Sequence, residues 1–489
     1  MPPVQLPWPT SALPGRRAGE GQGDLINGYA VKIGDVVEIR RTPGLLRKLT
    51  LPDATARIAR GTHALSDRLF HVWDDELRCL VGDVDTKVIG LLPGTDRVTM
   101  AHNMRDDSPN IVVVTELGAY LVDYLTNTVA VYPDPLGNLA SHGQPNSVEY
   151  FSGYFVFTHA NGYFTASQLQ NPDIPDGSFD KTAYVADKLL RAKAMQAVLL
   201  LMSTQSIEVW VDVATSPFPF QRQTALDVGL LGPWAVAGGS MEWERGVFFV
   251  ASDFTVRQMD GLTPKIISND DVAFDIYSCR ENTDALVAQV YAFEQQAVFS
   301  LTGFTPDGES WTWEYNTQSG AWHRRDSYGY TSWRGTSAVQ YQHLWYCQDL
   351  LEGKLFRIMQ EEFREDGGRL RFRCESGPIK AFPASVRVPS IDIDCVVALG
   401  KTRVPSPYET NPTAMVSWSH DGGANWSRPV ARSMGRVGRY AQKITVNNLG
   451  RSTHHGTRIR VDVVDPVPAT ILGGVSTSTQ PSRARGVDR

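Results

Sequence analysis

The feature that most constrains this chain is an aromatic hairpin that keeps recurring. Phe151 to Leu169 reads FSGYFVFTHANGYFTASQL. It predicts two short strands, Phe151–Thr158 and Gly162–Leu169, joined by a turn at His159-Ala160-Asn161-Gly162. Asn-Gly flanked by β-branched and aromatic residues is a strong hairpin signal. Related units are RLFHVWDDELRCLVG, turning at Asp74-Asp75, and NIVVVTELGAYLVDYLTNTVAVYP, turning at Leu117-Gly118 and Thr126-Asn127. AVLLLMSTQSIEVWVDV (turn at Ser203–Ser206), GVFFVASDFTVRQMDG and AVFSLTGFTPDGESWTWEYNTQSGAWHRR (turn at Pro306-Asp307-Gly308) follow. HLWYCQDLLEGKLFRIM closes the series. A spacing of about forty to fifty residues is the blade period of a β-propeller.

The expected fold is therefore mainly β with few helices: a β-propeller-like domain plus a β-sandwich or barrel-like platform. Residues 1–50 read as an N-terminal arm and part of the platform, and residues 51–369 as the propeller. Residues 370–474 read as the C-terminal platform, since RLRFRCE, IDIDCVVALG, AMVSWSHDG, AQKITVNNLG and RIRVDVVDP all alternate. Asp366-Gly367-Gly368 reads as the break between the two. Asp187–Met195, in ADKLLRAKAM, reads as a short helix. The polar tail 475–489 is expected to be disordered.

The 489 residues suffice for several domains. Five scattered cysteines with no C-x-x-C pair argue against a disulfide framework or a zinc site, and are expected as buried thiols. No apolar run reaches the roughly 18–20 residues of a membrane span. The Pro/Gly-rich start lacks the apolar stretch of a secretion signal, so synthesis in the cytoplasm is expected. Lys401 to Arg460 holds ten basic and two acidic residues within a chain of net charge −6. A basic segment set against an acidic body can orient a subunit in an assembly. Arg428, Arg432, Arg436, Arg439 and Lys443 are the candidate contacts to a neighbouring subunit or adaptor, because a planar guanidinium suits partner carboxylates.

Ser419-His420-Asp421-Gly422-Gly423-Ala424-Asn425-Trp426 matches the S-x-D-x-G-x-x-W Asp-box, a turn in which Ser419 and Asp421 cap backbone groups around Gly423 and Trp426 packs beneath. That role is structural. Asp392 and Asp394 share a strand face and could bind Ca²⁺, but also suit the solvent side of an edge strand. Trp311, Trp313, Tyr315, Trp322 and Trp333 could form a sugar platform or fill a propeller core. There is no P-loop, G-x-S-x-G or H-E-x-x-H, and no catalytic residue, metal or cofactor is assigned.

Several segments together resemble one family. They are Leu25-Ile26-Asn27-Gly28-Tyr29-Ala30, Pro43-Gly44-Leu45, Val98-Thr99-Met100-Ala101-His102-Asn103, Ser147–Phe157 and Ile207-Glu208-Val209-Trp210. Phe218-Pro219-Phe220-Gln221-Arg222, Trp313–His323 and Asp465-Pro466-Val467-Pro468 complete the set. In this order, from about residue 25 to 474, they resemble the packaged-DNA stabilisation proteins of P22-like short-tailed bacteriophages, also described as tail hub or nozzle proteins. The chain departs from that pattern at Gly28, where many relatives carry Cys.

The resemblance implies a structural, non-enzymatic subunit of the virion tail. Six copies would form a ring below the head-to-tail adaptor, extend the channel for double-stranded DNA, dock tailspikes or fibres, and be closed by a needle or plug until genome ejection. It implies no catalytic residue and no membrane insertion. Residues 1–50 and 371–474 would then face the adaptor and neighbouring subunits. Reversing Arg432, Arg436 and Arg439 to Glu would abolish the ring, and the acidic body would let DNA slide without sequence-specific binding. The competing reading is a propeller glycosidase or a host-glycan-binding adhesion protein.

Overall fold

The computed structural model describes residues 4–34, 36–55, 57–105, 108–239, 243–399, 407–476 and 480–482. Each of the seven recurring units falls in its own sheet. The first six four-stranded blades begin with inner strands Ala59–Leu65, Thr99–His102, Pro145–Phe151, Leu189–Met195, Val236–Gly239 and Val287–Phe293. Blade seven begins with Gly335–Tyr341 and takes its fourth strand from the other end of the propeller sequence. Gly44–Thr55 pairs antiparallel with Glu352–Met359, from Gly44 opposite Met359 to Thr55 opposite Glu352. The inner strand of blade seven then packs beside that of blade one, and the ring closes. A closed ring of short sheets protects edges that would otherwise pair with other chains.

In the first hairpin the expected turn stands where the sequence puts it. The Gly162 amide donates to His159 O at 3.0 Å, and Gly162 takes φ 89°. The flanking strands are Tyr154–His159 and Tyr163–Ala166, and Phe151 ends the strand before them.

The second β region consists of two sheets. One has the order Gly28–Ile33, Val36–Arg41, Thr470–Ser476, Ser385–Cys395, Ile444–Arg451. The other contains Asp24–Ile26, Phe372–Glu375, Arg458–Val463, Thr413–Ser419 and Val430–Ser433. Alternation selects the buried faces: Val386, Val388, Ile391 and Ile393 on one strand meet a core that includes Val416, Ile459, Val461 and Val463. This second sheet is continuous with blade six. Ile26 lies opposite Arg324 in a parallel pairing, while Asp24–Ile26 pairs antiparallel with Phe372–Glu375.

Two local expectations need revision. Leu189–Met195 is not a helix but the inner strand of blade four, buried at every position. Neighbours on both faces cover Leu190 and Met195 as well as Leu189 and Ala192, so its mixed pattern imitates a helical one. The helix of this part of the chain is Asp270–Ser278, whose first turn is capped by Asn269 Oδ1 accepting from the Val272 amide at 2.9 Å. The Asp366-Gly367-Gly368 segment includes the turn of a hairpin between Arg364–Glu365 and Gly368–Arg369, with φ 52° at Asp366 and 76° at Gly367. Val475 and Ser476 end a strand, and Gln480–Ser482 pairs with Ser385–Arg387. The rest of the expected tail, 477–479 and 483–489, lies outside the described residues.

A buried polar cluster lies where blades six and seven meet the sandwich. Glu314 accepts from the Tyr291 hydroxyl at 2.8 Å and lies 2.9 Å from His323 Nε2. Arg325 reaches Glu314 at 3.9 Å and Glu365 at 3.6 Å, and donates to Pro43 O at 2.7 Å. Trp333 Nε1 donates to Glu365 at 3.1 Å. Burial tends to raise both carboxyls. At Glu314, Arg325 and the bonds from His323 and Tyr291 outweigh it and hold the group below its ordinary range, while at Glu365 burial prevails.

Arg325 thus serves two buried carboxylates. Arg325→Met should destabilise the protein by about 3–5 kcal/mol, the cost of leaving a buried charge uncompensated. Adding Glu314→Gln should recover part of that loss in urea titrations. Gly28 is constrained differently, since a Cβ there would stand 2.5 Å from Phe372 Cε2, a ring with no exposed surface. Gly28→Ala should cost about 1–3 kcal/mol through overpacking, read as a lower urea midpoint with an unchanged slope.

Candidate functional site

Two places combine chemistry with access: the exposed tip of the sandwich and the axis of the propeller. At the tip, Arg436 and Arg439 are exposed beside Val437 and Tyr440, which are 45% and 76% exposed, while Arg428 is exposed at the opposite end of the edge strand Val430–Ser433. Arg432 and Lys443 differ from them. Arg432 Nε donates to Thr445 O at 2.8 Å and Nη1 to Ala431 O at 2.9 Å, so its guanidinium spans two strands of the sandwich. Lys443 pairs with Asp392 at 2.8 Å, and Asp392 also accepts from Thr445 Oγ1 at 2.6 Å. Asp392 is therefore already engaged as a link between strands. The sequence pattern brought all five cations to one region but could not separate those held by the fold from those free to meet a partner.

The Asp-box segment forms a closed turn. Ser419 Oγ donates to Asp421 Oδ1 at 2.7 Å and accepts from the Gly423 amide at 2.8 Å. Asp421 accepts from the Asn425 amide at 2.9 Å and from Asn425 Nδ2 at 2.6 Å. Trp426 lies under the Arg460 guanidinium, 3.7 Å from its ring centroid. Burial would raise the Asp421 carboxyl, but the bonds from Asn425 and Ser419 prevail and hold it at about 2.

The aromatic candidates are interior. Trp313, Trp322 and Trp333 are buried, and their indole N–H groups donate to Asp275 Oδ2, Ile267 O and Glu365 Oε1. Trp311 and Tyr315 pack against the same core. Phe218 and Phe220 join Phe164, Trp210 and Phe151 between blades three and four, with centroids 4.9–6.4 Å apart. Pro219 is buried beside them, Gln221 is exposed, and Arg222 reaches Glu208 at 3.4 Å. That segment therefore packs two blades together.

The propeller axis holds a cavity of about 240 Å³ to which all seven inner strands contribute. With each water occupying about 30 Å³, it has room for a small ion and a few waters. Arg97, Arg191, Lys193, Glu149, His63 and His102 line its walls or lie just behind them. His63 Nε2 and His102 Nδ1 are 2.7 Å apart, and burial pushes the two rings down to about 3 and about 4, so both are neutral at pH 7. Lys193 lies 3.9 Å from Glu149. Arg60 is fully buried, donating to the carbonyls of Asp74, Leu92 and Asp96 at 2.6–2.7 Å and to Glu116 at 3.2 Å, which ties blade one to blade two. The sequence reading missed this cluster. The available signal was Arg191 and Lys193 two apart in an otherwise apolar run, the spacing of one strand face.

A family model described as bacteriophage P22 Gp10, beta-propeller, matches residues 39–362, and one described as bacteriophage P22 Gp10, beta-sandwich, matches residues 385–475. The chain belongs to the bacteriophage P22 Gp10 family. This is a family of phage structural proteins that stabilise packaged DNA, which makes the chain a virion component that assembles with other virion proteins. Nothing among curated proteins matches the chain. Among solved structures it is similar to the computationally designed Ika8 protein (10% identity, TM-score 0.40, 64% of this chain and 100% of that one). BamB from Moraxella catarrhalis (10%, 0.39, 68% and 93%) and BBS1N in complex with ARL6DN (11%, 0.38, 65% and 97%) are similar to the same degree. Among the described residues no helix is long and apolar enough to cross a membrane.

The Asp421 turn has a definite pH signature. Its carboxyl is depressed in the fold relative to about 3.9 in an unfolded chain, so its contribution is full above pH 4 and fades as pH falls towards 2. Asp421→Ala should cost about 1 kcal/mol at pH 7, as for loss of a capping side chain. The gap to wild type in denaturant titrations should close near pH 2.

Proposed function

We propose that this Gp10-family chain is the subunit of a six-membered tail ring that attaches below the head-to-tail adaptor. The ring extends the DNA channel, holds packaged DNA in the head, docks tailspikes or fibres, and is closed by a needle or plug until ejection. The subunit is not an enzyme. The observation that carries the reading is the match of both halves of the chain to one phage structural family, in the order propeller then sandwich.

The surface chemistry supports a ring contact through the sandwich. In a cyclic ring one face of each subunit docks on a different face of its neighbour. Arg436 and Arg439 with Val437 and Tyr440 combine exposed cations and apolar area, a composition suited to an interface hot spot, and Arg428 is a further exposed cation at the other end of the edge strand. The rest of the chain carries the opposing acidic charge. Arg432 is left out because its guanidinium braces the sandwich itself.

Cryo-electron microscopy of the protein mixed with its adaptor–portal complex tests the proposal. A six-fold ring below the adaptor is the expected outcome, whereas a free monomer beside bare adaptors refutes it. Reversing Arg428, Arg436 and Arg439 to Glu should abolish the ring and leave the monomer's melting temperature within a few degrees of wild type. Normal rings from that variant would move the contact elsewhere.

A further inference from the structure

The subunit is electrically polar from end to end. The nine-stranded sheet that begins in blade six runs through Asp24–Ile26, Phe372–Glu375, Arg458–Val463 and Thr413–Ser419 to Val430–Ser433, so this last strand is the one farthest from the propeller in that sheet. It leads into the exposed tip residues Arg436, Val437, Arg439 and Tyr440. The blades follow one another from one to seven, with the inner strand of blade seven beside that of blade one. In such a ring blades two and three stand across the axis from blade six. The cationic tip and the outer rim of blades two and three are therefore at opposite ends of the fold.

That rim has the complementary composition. From Asp106 to Asp180 the sequence has nine Asp and Glu residues and no Lys or Arg. The segment that leads from the outer strand of blade two, Thr128–Val131, to blade three is tied to the loop before blade three's own outer strand, Phe179–Lys181. The Tyr132 hydroxyl donates to Pro172 O, and Asn138 Nδ2 donates to Ile174 O and to Asp176 Oδ1, both at 3.0 Å. This gathers Asp134, Asp173 and Asp176 on one rim. Burial raises the Tyr132 hydroxyl, and the Asp173 and Asp134 charges reinforce it, as two carboxylates near one group must. The bonds these carboxylates accept come from uncharged amides: from the Leu139 and Ala140 backbone to Asp134 at 3.0 and 2.9 Å, and from Asn171 Nδ2 to Asp173 at 3.2 Å. Among the described residues no Lys or Arg side chain pairs with any of the three. Lys181, the next cation along the chain, lies over the Tyr163 ring, 4.9 Å from its centroid. On the same segment Leu136 is 64% exposed, and Val131 just before it 75%. Exposed apolar side chains bordered by charge mark an interaction surface.

On the reading of the chain as a ring subunit, we propose that the rim of blades two and three receives the sandwich tip of a neighbouring copy, so that subunits join head to tail. Arg436 and Arg439 meet the carboxylates of Asp134, Asp173 and Asp176, while Val437 and Tyr440 cover Leu136 and Val131. A contact between unlike surfaces at opposite ends of a subunit is heterologous, and it propagates from copy to copy until the ring closes. The charge pattern fixes the direction, because tip against tip and rim against rim would juxtapose like charges. The same carboxylates repel phosphates, so a DNA duplex is not the occupant.

The test uses two full-length variants, each mixed with the adaptor–portal complex and imaged beside wild type. One carries Asp173→Lys and Asp176→Lys at the rim, the other Arg436→Glu and Arg439→Glu at the tip. Each alone should form no rings while melting within a few degrees of wild type. An equimolar mixture should recover rings in which the two variants alternate. In it an Arg tip meets an Asp rim and a Glu tip meets a Lys rim, and the alternation closes in any even-membered ring. Normal rings from the rim variant alone overturn the head-to-tail contact and leave the ring itself standing. If those rings lack a spike or fibre that wild type carries, the rim belongs to that partner instead. A mixture that forms no rings where wild type does also overturns the contact. Absence of rings from wild type refutes the ring and the contact together. If Lys at the rim prevents folding, Asp173→Asn with Asp176→Asn takes its place and should lower the ring yield severalfold; an unchanged yield counts against the rim.

Discussion

A three-residue strand makes this molecule one body. Asp24–Ile26 hydrogen-bonds on one side to Ala321–Arg324 of blade six and on the other to Phe372–Glu375 of the sandwich. The next residue continues the link through its side chain. Asn27, at φ 53°, donates from Nδ2 to Asp326 O, Asp326 Oδ1 and Arg371 O at 2.7–3.0 Å and accepts from the Asp326 amide at 3.1 Å. Asn tolerates this left-handed backbone better than most residues, and its amide both donates and accepts. Arg324 pairs with Asp24, and Arg371 with Asp326, across the same seam. A hinge between propeller and sandwich would have to break a continuous hydrogen-bond ladder and this polar lock together.

The neighbouring Arg325 cluster adds a second constraint. It draws Glu314 from blade six, Glu365 from the hairpin beyond blade seven and Pro43 from the lead into the closing strand towards one guanidinium. The strand that closes the propeller begins at the next residue, Gly44. A Cβ there would stand 2.3 Å from Arg364 O. Ring closure, the start of the sandwich and the buried charges are therefore set within one small region. Leu25–Ala30, Pro43–Leu45 and Trp313–His323, far apart in sequence, meet there.

The blades were legible because each hairpin carries its own signal. Strands such as Asn110–Thr115 and Gln296–Phe304 are apolar runs bounded by turn residues, and the period repeats even where the residues do not. Three features were hidden for physical reasons. Leu189–Met195 is covered on both faces, which erases the alternation that marks a strand. Gly44–Thr55 belongs to blade seven through a pairing some three hundred residues long-range, which no local pattern encodes. At the sandwich tip, composition located the cations, but only the contacts of Arg432 and Lys443 separated them from the exposed arginines. The axial cluster was illegible because Arg97 and Arg191 come from different blades and meet only when the ring closes.

The two charged regions follow opposite physical logic. At the sandwich tip the arginines are hydrated, so each costs little in the free subunit, and burial against a neighbour's carboxylates would convert their solvation into specificity for that neighbour. Inside the fold Arg60 and Arg325 have lost their water, and the fold bears that cost whether or not a partner is present. A subunit that must be stable before assembly cannot leave many charges of the second kind, and most of its buried cations are answered internally: Arg60 by carbonyls and Glu116, Arg325 by two carboxylates, Arg334 by Asp349. Arg97, half-buried beside the axial cavity, is held instead by the Ser337 and Thr336 hydroxyls. The same charge economy separates the exposed arginines of the sandwich, which keep their hydration until a neighbour meets them, from the guanidiniums that hold the fold together.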